Sequence, residues 1–236
     1  MHSLSPEQRL AVPLYADPAS GEWRKLHEAS SSVALVVANM AHPGGPAAQR
    51  VSEYVDVFSA SKQRGQTIVG YVYAAYGTRA HDAVASDVDA WRTRYPEVDG
   101  IFVDQIPSDV SALDAYVRPL CHRIRAAGAR VVALNPGAQV DERFMSACDI
   151  VVNFEGPCAR YLAEPADPEW VHDYGAERFW HIVFDVPARR VREVVARSRR
   201  RNAGHVFISP LPAPKAYTEL PGDDFWQDAL AAIRES

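Results

Sequence analysis

The chain has 236 residues, a length that suits one large domain with a buried core. Hydrophobic residues make up 47% of it and charged residues 23%, a balance that excludes both a disordered chain and a membrane protein. A formal net charge of −5 argues against a nucleic-acid partner, whose phosphates select a basic face.

The chain opens on MHSLSPEQRL, which lacks the apolar core of a signal peptide. The cytoplasm is therefore the expected compartment, and secretion would require a leader already trimmed away. Eight short apolar runs follow in order: AVPLYA, VALVVANM, TIVGYVYAAY, GIFVDQI, RVVALNPG, DIVVNFEG, FWHIVFDV and GHVFISP. Most are continuous in Val, Ile and Phe rather than alternating, the pattern of parallel strands covered on both faces. Helical periodicity fills the gaps. Val84, Val88, Trp91 and Tyr95 fall on one helix face, as do Val110, Leu113, Val117, Leu120 and Ile124. Pro119 lies inside the second set, so a kink or a late helix start is expected there. Phe225, Trp226, Ala229, Leu230 and Ile233 predict a closing helix.

Eight strands interleaved with helices or loops predict an α/β fold, a single (β/α)8 TIM-type barrel over residues 1–236. An open doubly wound sheet would carry a glycine-rich loop after its first strand, and YADPASGEW is not one. Nothing approaches the roughly 18 apolar residues of a membrane span. Cys121, Cys148 and Cys158 form no CxxC pair and are expected as buried thiols. The arginines at 197, 199, 200 and 201 are expected at a helix end, where cations complement the dipole. HPGGP at 42–46 is expected as a plain loop. The histidines show no ligand spacing, so neither metal nor cofactor is implied. Oligomeric state has no signal in the sequence.

Active sites of such barrels gather at the C-terminal ends of the strands. Those ends carry Tyr15 and Asp17, Asn39, Tyr73 and Tyr76, Asp104 and Gln105, Asn135, Glu155, Asp185, and Ser209. Asp104 and Glu155 stand out, because strands this apolar should not end in carboxylates unless something uses them. Two carboxylates over a barrel mouth suit glycosidic bond cleavage, one protonating the leaving oxygen and the other attacking the anomeric carbon or activating water. Helix capping or pairing with arginine would also account for strand-end acids. The strand of His181 is expected to point it into the barrel, as a substrate contact or as a satisfied core histidine. The aromatics Tyr15, Tyr71, Tyr73, Tyr76, Trp180 and Tyr217 could pack sugar faces or simply fill space.

Several segments together resemble spherulation-specific family 4, the spherulin-like group classed as glycoside hydrolase family 135. They are VPLYADP with Trp23, VVANMAHPGGP, VGYVYAAYGTR, DVDAWRTRYPEVDGIFVD, VVALNPG, DIVVNFEG and AYTELPGDDFW. The resemblance implies a (β/α)8 barrel that cleaves α-1,4-linked N-acetylgalactosamine in an amino-sugar polysaccharide. It also implies an Asp-Glu pair after the fourth strand and a Glu after the sixth as catalytic acids. Asp104 and Glu155 match, whereas Gln105 replaces the family's Glu, and an amide cannot shuttle a proton. The expected site is thus Asp104 and Glu155 as catalytic carboxylates, with Tyr15, Asn39, Tyr71, Tyr73, Gln105, Asn135, His181 and Asp185 contacting an oligo- or polysaccharide. The rival expectation is a carbohydrate-binding barrel that has lost catalysis. A barrel acting on a small phosphorylated metabolite would need a phosphate motif after the seventh or eighth strand, and none is visible.

Overall fold

The computed structural model describes residues 7–40 and 45–235. Its eight strands are β1 (Arg9–Leu14), β2 (Val33–Ala38), β3 (Thr67–Tyr73), β4 (Gly100–Asp104), β5 (Val131–Asn135), β6 (Ile150–Pro157), β7 (Phe179–Phe184) and β8 (His205–Ile208). All neighbours pair in parallel, and β8 pairs β1 to close the barrel. The helices are α1 (Gly21–Glu28), α2 (Ser52–Gln63), α3 (His81–Arg94), α4 (Arg118–Ala126), α5 (Cys158–Ala163), α6 (Val191–Arg200) and α7 (Asp223–Arg234). Every one of the eight apolar runs is a strand. Between β5 and β6 a short 3₁₀ turn, Glu142–Ser146, stands where a helix would complete the pattern.

The helix faces read from periodicity are the buried ones: Val84, Val88 and Trp91 on α3, Leu120 and Ile124 on α4, and Phe225 to Ile233 on α7. Pro119 falls in the first turn of α4, where a missing N–H costs nothing, and a π turn over Leu113–Val117 leads into it. The three cysteines are free and buried. Arg197, Arg199 and Arg200 sit in the last turn of α6, yet Arg197 donates to the carbonyls of Tyr161 and Glu164 and so ties α6 to α5. Arg201 makes a two-pronged bond to Asp167, at 2.8 and 2.7 Å. Gly45 and Pro46 lie in a loop, and the remainder of HPGGP, residues 42–44, lies outside the described residues.

One packing contact reaches from the helical ring to the barrel mouth. The Trp91 indole lies flat against Gly70 and donates from Nε1 to the carbonyl of Tyr71 at 2.8 Å. A Cβ on residue 70 would sit 2.5 Å from the indole. Gly70→Ala is therefore expected to destabilise the protein by about 1–3 kcal/mol, as overpacking does. Thermal unfolding should show the midpoint falling by at least a few degrees, and an unchanged midpoint would mean that the indole yields freely.

Candidate active site

At the C-terminal end of the barrel a cavity of about 700 Å³ is lined by Tyr15, Asn39, Tyr71, Asp104, Asn135 and Glu155 among the expected residues. Asp17, Tyr54, Phe102, Ile182 and Tyr217 complete much of its wall. Asp104 ends β4 and pairs in register with Asn135, which ends β5. Their side chains therefore stand side by side on the inner face.

Glu155 reaches the same cavity because of an irregularity in β6. Val152 pairs with Trp180, but Phe154, not Asn153, pairs with His181. Asn153 is thus an extra residue, a bulge that exchanges the faces of everything after it. Trp180 packs on Phe102 inside the barrel, and Phe154 packs on Tyr161 of α5 outside it. Without the bulge Glu155 would face the helices. With it, Glu155 faces the cavity beside Ile182. Asn153 itself is buried, and its two amide atoms have no bonding partner among the described residues.

One amide joins the two carboxylates. Asn135 Nδ2 donates to Asp104 Oδ1 at 2.9 Å and to Glu155 Oε2 at 2.5 Å. Its Oδ1 accepts the Gly137 N–H at 2.9 Å, so the NH₂ must face the acids. The two facing carboxylate oxygens are consequently no more than about 5.4 Å apart, the two bonds laid end to end. Tyr71 Oη donates to Asp104 Oδ2 at 2.7 Å, and Tyr217 Oη donates to Glu155 Oε1 at 2.5 Å. Tyr15 lies between these two phenols, with ring centres 5.6 Å from Tyr71 and 5.8 Å from Tyr217. Its N–H donates to the Tyr217 carbonyl at 2.7 Å, which ties the loop after β8 to the end of β1.

Burial raises the Asp104 carboxyl from its ordinary 3.8 to about 6; the Tyr71 hydrogen bond works against that rise, and the Glu155 charge adds to it. Burial first, and then the acids, push the phenols of Tyr15, Tyr71 and Tyr217 upward, so all three remain protonated. Near neutral pH the site therefore joins a readily protonated acid to a second carboxyl group through fixed donors. That is an arrangement for moving a proton and placing a negative charge against one substrate atom.

Four expected residues do not line this cavity. His181 is corrected outright, because it faces away from the barrel axis. It shares the outward face with its register partner Phe154, and Nδ1 bonds the Tyr161 hydroxyl at 2.8 Å. Burial, followed by the charges of Arg201 and Arg197, pushes its pKa well down, so it is a neutral packing histidine. Tyr73 has the Arg79 guanidinium 4.3 Å above its ring. Gln105 and Asp185 both have left-handed backbones, with φ of 54° in each case, and turn the chain off the strand line. Asp185 borders a separate open hollow with Phe225 and Asp223. Conversely, the sequence marks Tyr217 only as an aromatic near the strand ends, although AYTELPGD carries it. Trp180, another of those aromatics, is core. Among the described residues no group of three or more metal-ligating side chains occurs, and no helix is long and apolar enough to cross a membrane.

The sequence profile of spherulation-specific family 4 matches residues 9–233. Spherulin-4 of Physarum polycephalum is 30% identical over 148 residues, which cover 62% of this chain and 44% of that protein. The match thus spans less than half of that relative. Among solved structures, Aspergillus clavatus Sph3 in complex with GalNAc superposes with a TM-score of 0.78 at 26% identity, covering 98% of this chain and 99% of that one. The glycoside hydrolase domain of PelA from Pseudomonas aeruginosa superposes with a TM-score of 0.55 at 16% identity, covering 89% and 96%, a likeness of fold alone. With the match running through all eight strands of a closed (β/α)8 barrel, the chain belongs to spherulation-specific family 4.

Proposed function

We propose that the protein is a glycoside hydrolase acting within an amino-sugar polysaccharide, with α-1,4-linked N-acetylgalactosamine as its substrate. The observation that carries the reading is the Asp104–Asn135–Glu155 bridge across the cavity floor. Carboxyl groups about 5 to 5.5 Å apart suit a retaining reaction, and roughly 6.5 to 9.5 Å an inverting one. The limit of about 5.4 Å between the facing oxygens favours retention. Asp104, raised to about 6 chiefly by burial, is the acid that protonates the leaving glycosidic oxygen. Glu155, met by the Asn135 and Tyr217 donors, attacks the anomeric carbon as that bond breaks. Asp104, now ionised, takes a proton from water as the water displaces Glu155 from the sugar. The GalNAc bound by the Aspergillus protein, with nearly complete coverage of both chains, supports the sugar class. Gln105 lies off the cavity wall, so an amide there does not remove an acid from this pair.

Purified protein should release new reducing ends from an N-acetylgalactosamine polymer, and EDTA should leave the rate unchanged. Release only after a divalent ion is restored would make the carboxylates ligands instead. Binding without release would leave a carbohydrate-binding barrel.

A further inference from the structure

Beside the cavity, the chain leaving β3 makes a turn that the catalytic reading does not use. Ala75 and Tyr76 both have left-handed backbones, with φ of 46° and 52°, and Gly77 follows at 84°. Side-chain-bearing residues adopt that conformation only where their surroundings impose it. Here the surroundings are the backbone of the proposed acid and its neighbour. The Ala74 N–H donates to the Asp104 carbonyl at 2.9 Å, and the Tyr76 N–H donates to the Gln105 carbonyl at 2.6 Å. Pro107 packs against Gly77. Behind the turn, Arg79 donates to the Tyr73 carbonyl at 3.1 Å and pairs with Asp87 at 2.7 Å. A turn bonded this closely to the residue after Asp104 has a fixed place at the rim.

What the turn presents is a ring. Tyr76 is 65% exposed and is the exposed large apolar side chain among the described residues, whereas Tyr15, Tyr71 and Tyr217 are packed into the cavity wall. Backbone bonds to Asp104 and Gln105 hold the turn, but packing does not hold the ring that it displays. An aromatic face in water on the loop after β3, bonded to the backbone that follows Asp104, suits a ligand with an apolar face and a polar edge.

We propose that Tyr76 is the platform of an additional sugar subsite, stacking a unit of a bound glycan beyond the one held between Asp104 and Glu155. The proposal rests on the amino-sugar reading of the cavity and extends it from one sugar to a chain. Tyr76 then sets a preference for longer substrates and leaves the chemistry at the anomeric carbon alone.

Glycine takes a left-handed backbone without penalty, so Tyr76→Gly removes the ring and keeps the turn. Tyr76→Phe keeps both. Each change would be made in the Glu155→Gln background, so that bound sugar is not consumed. Calorimetry would then follow binding of α-1,4-linked N-acetylgalactosamine oligosaccharides of increasing length, starting from the monosaccharide. The monosaccharide should bind all forms alike. Longer chains should bind Tyr76→Gly roughly 3- to 10-fold more weakly than the parent, with Tyr76→Phe close to the parent. Equal affinity of Tyr76→Gly and the parent at every length would overturn the subsite and leave the sugar reading standing. Failure of the parent itself to bind any of these sugars would overturn both.

Discussion

Asp104→Asn should lower turnover of the polymer by about 10² to 10⁴-fold, the worth of a general acid. The loss should depend on the leaving group. An aryl glycoside whose phenol departs without a proton should form the glycosyl-enzyme at much closer to the wild-type rate, seen as a first-turnover burst of phenol. Steady turnover should stay slow, because Asp104 is also the base that takes the proton from water. Glu155→Gln should be as damaging on either substrate, because no leaving group replaces a nucleophile. If neither variant gives a burst of phenol from the aryl glycoside, the division of labour between the two acids is wrong. The same substitution at Asp104 has a consequence for stability. Its folded pKa is raised from 3.8 to about 6, chiefly by burial, so charging it costs the folded state free energy. That cost is absent below about pH 4, grows between 4 and 6, and is complete above 6. Tyr71 can turn its hydroxyl to accept from the new amide. Asp104→Asn should accordingly unfold no lower than wild type at pH 7, and higher by on the order of 1–3 kcal/mol, with the advantage gone at pH 4. Melting curves at the two pH values give the answer. A variant less stable at pH 7 would show that Asp104 supports the fold.

Asn135→Asp should be the most damaging single change to the centre as a whole. Among the described residues the amide is the one group that donates to both acids, at 2.9 and 2.5 Å, while its own oxygen is held by the Gly137 N–H. A carboxylate of the same shape removes two charge-assisted hydrogen bonds, each worth roughly 1.5–3 kcal/mol, and adds a third negative charge. Repulsion should raise the Asp104 carboxyl further and hold the acids apart. Turnover at pH 7 should fall by about 10²-fold or more, and stability by several kcal/mol. The new carboxyl has a folded pKa above its unfolded one, so the stability loss should shrink as pH falls toward 4. Activity and melting temperature should be measured across that range. A loss that does not ease in acid would mean that shape, not charge, is the matter at this position.

The barrel was legible in the sequence because its signal is coarse. Eight apolar runs separated by helical periodicity suffice, and each run is a strand. What could not be read is which way each residue faces, since strands buried on both sides do not alternate. His181 failed for that reason: FWHIVFDV offers no parity, and the pairing with β6 turns the histidine outward. Glu155 sits at the cavity only because of the bulge at Asn153, and nothing in DIVVNFEG marks a bulge. Counting from strand ends puts Gln105 and Asp185 at the mouth. Both instead begin left-handed turns that no glycine announces. Tyr217 reaches Glu155 across 62 residues of chain, from a loop that the parallel closure of β8 on β1 brings round to Tyr15. Asp104 and Asn135, paired in register at the ends of β4 and β5, needed only strand order to be brought together.

If the Asp104–Glu155 pair hydrolyses a glycosidic bond, each cleavage takes up one water oxygen. The most direct measurement is mass spectrometry of an α-1,4-linked N-acetylgalactosamine oligosaccharide incubated with the purified wild type in ¹⁸O-labelled water. Shorter oligosaccharides carrying a single ¹⁸O at each new reducing end are the expected result, and Glu155→Gln should return the substrate intact. Intact, unlabelled oligosaccharide recovered from a wild-type protein that demonstrably binds it would contradict the account.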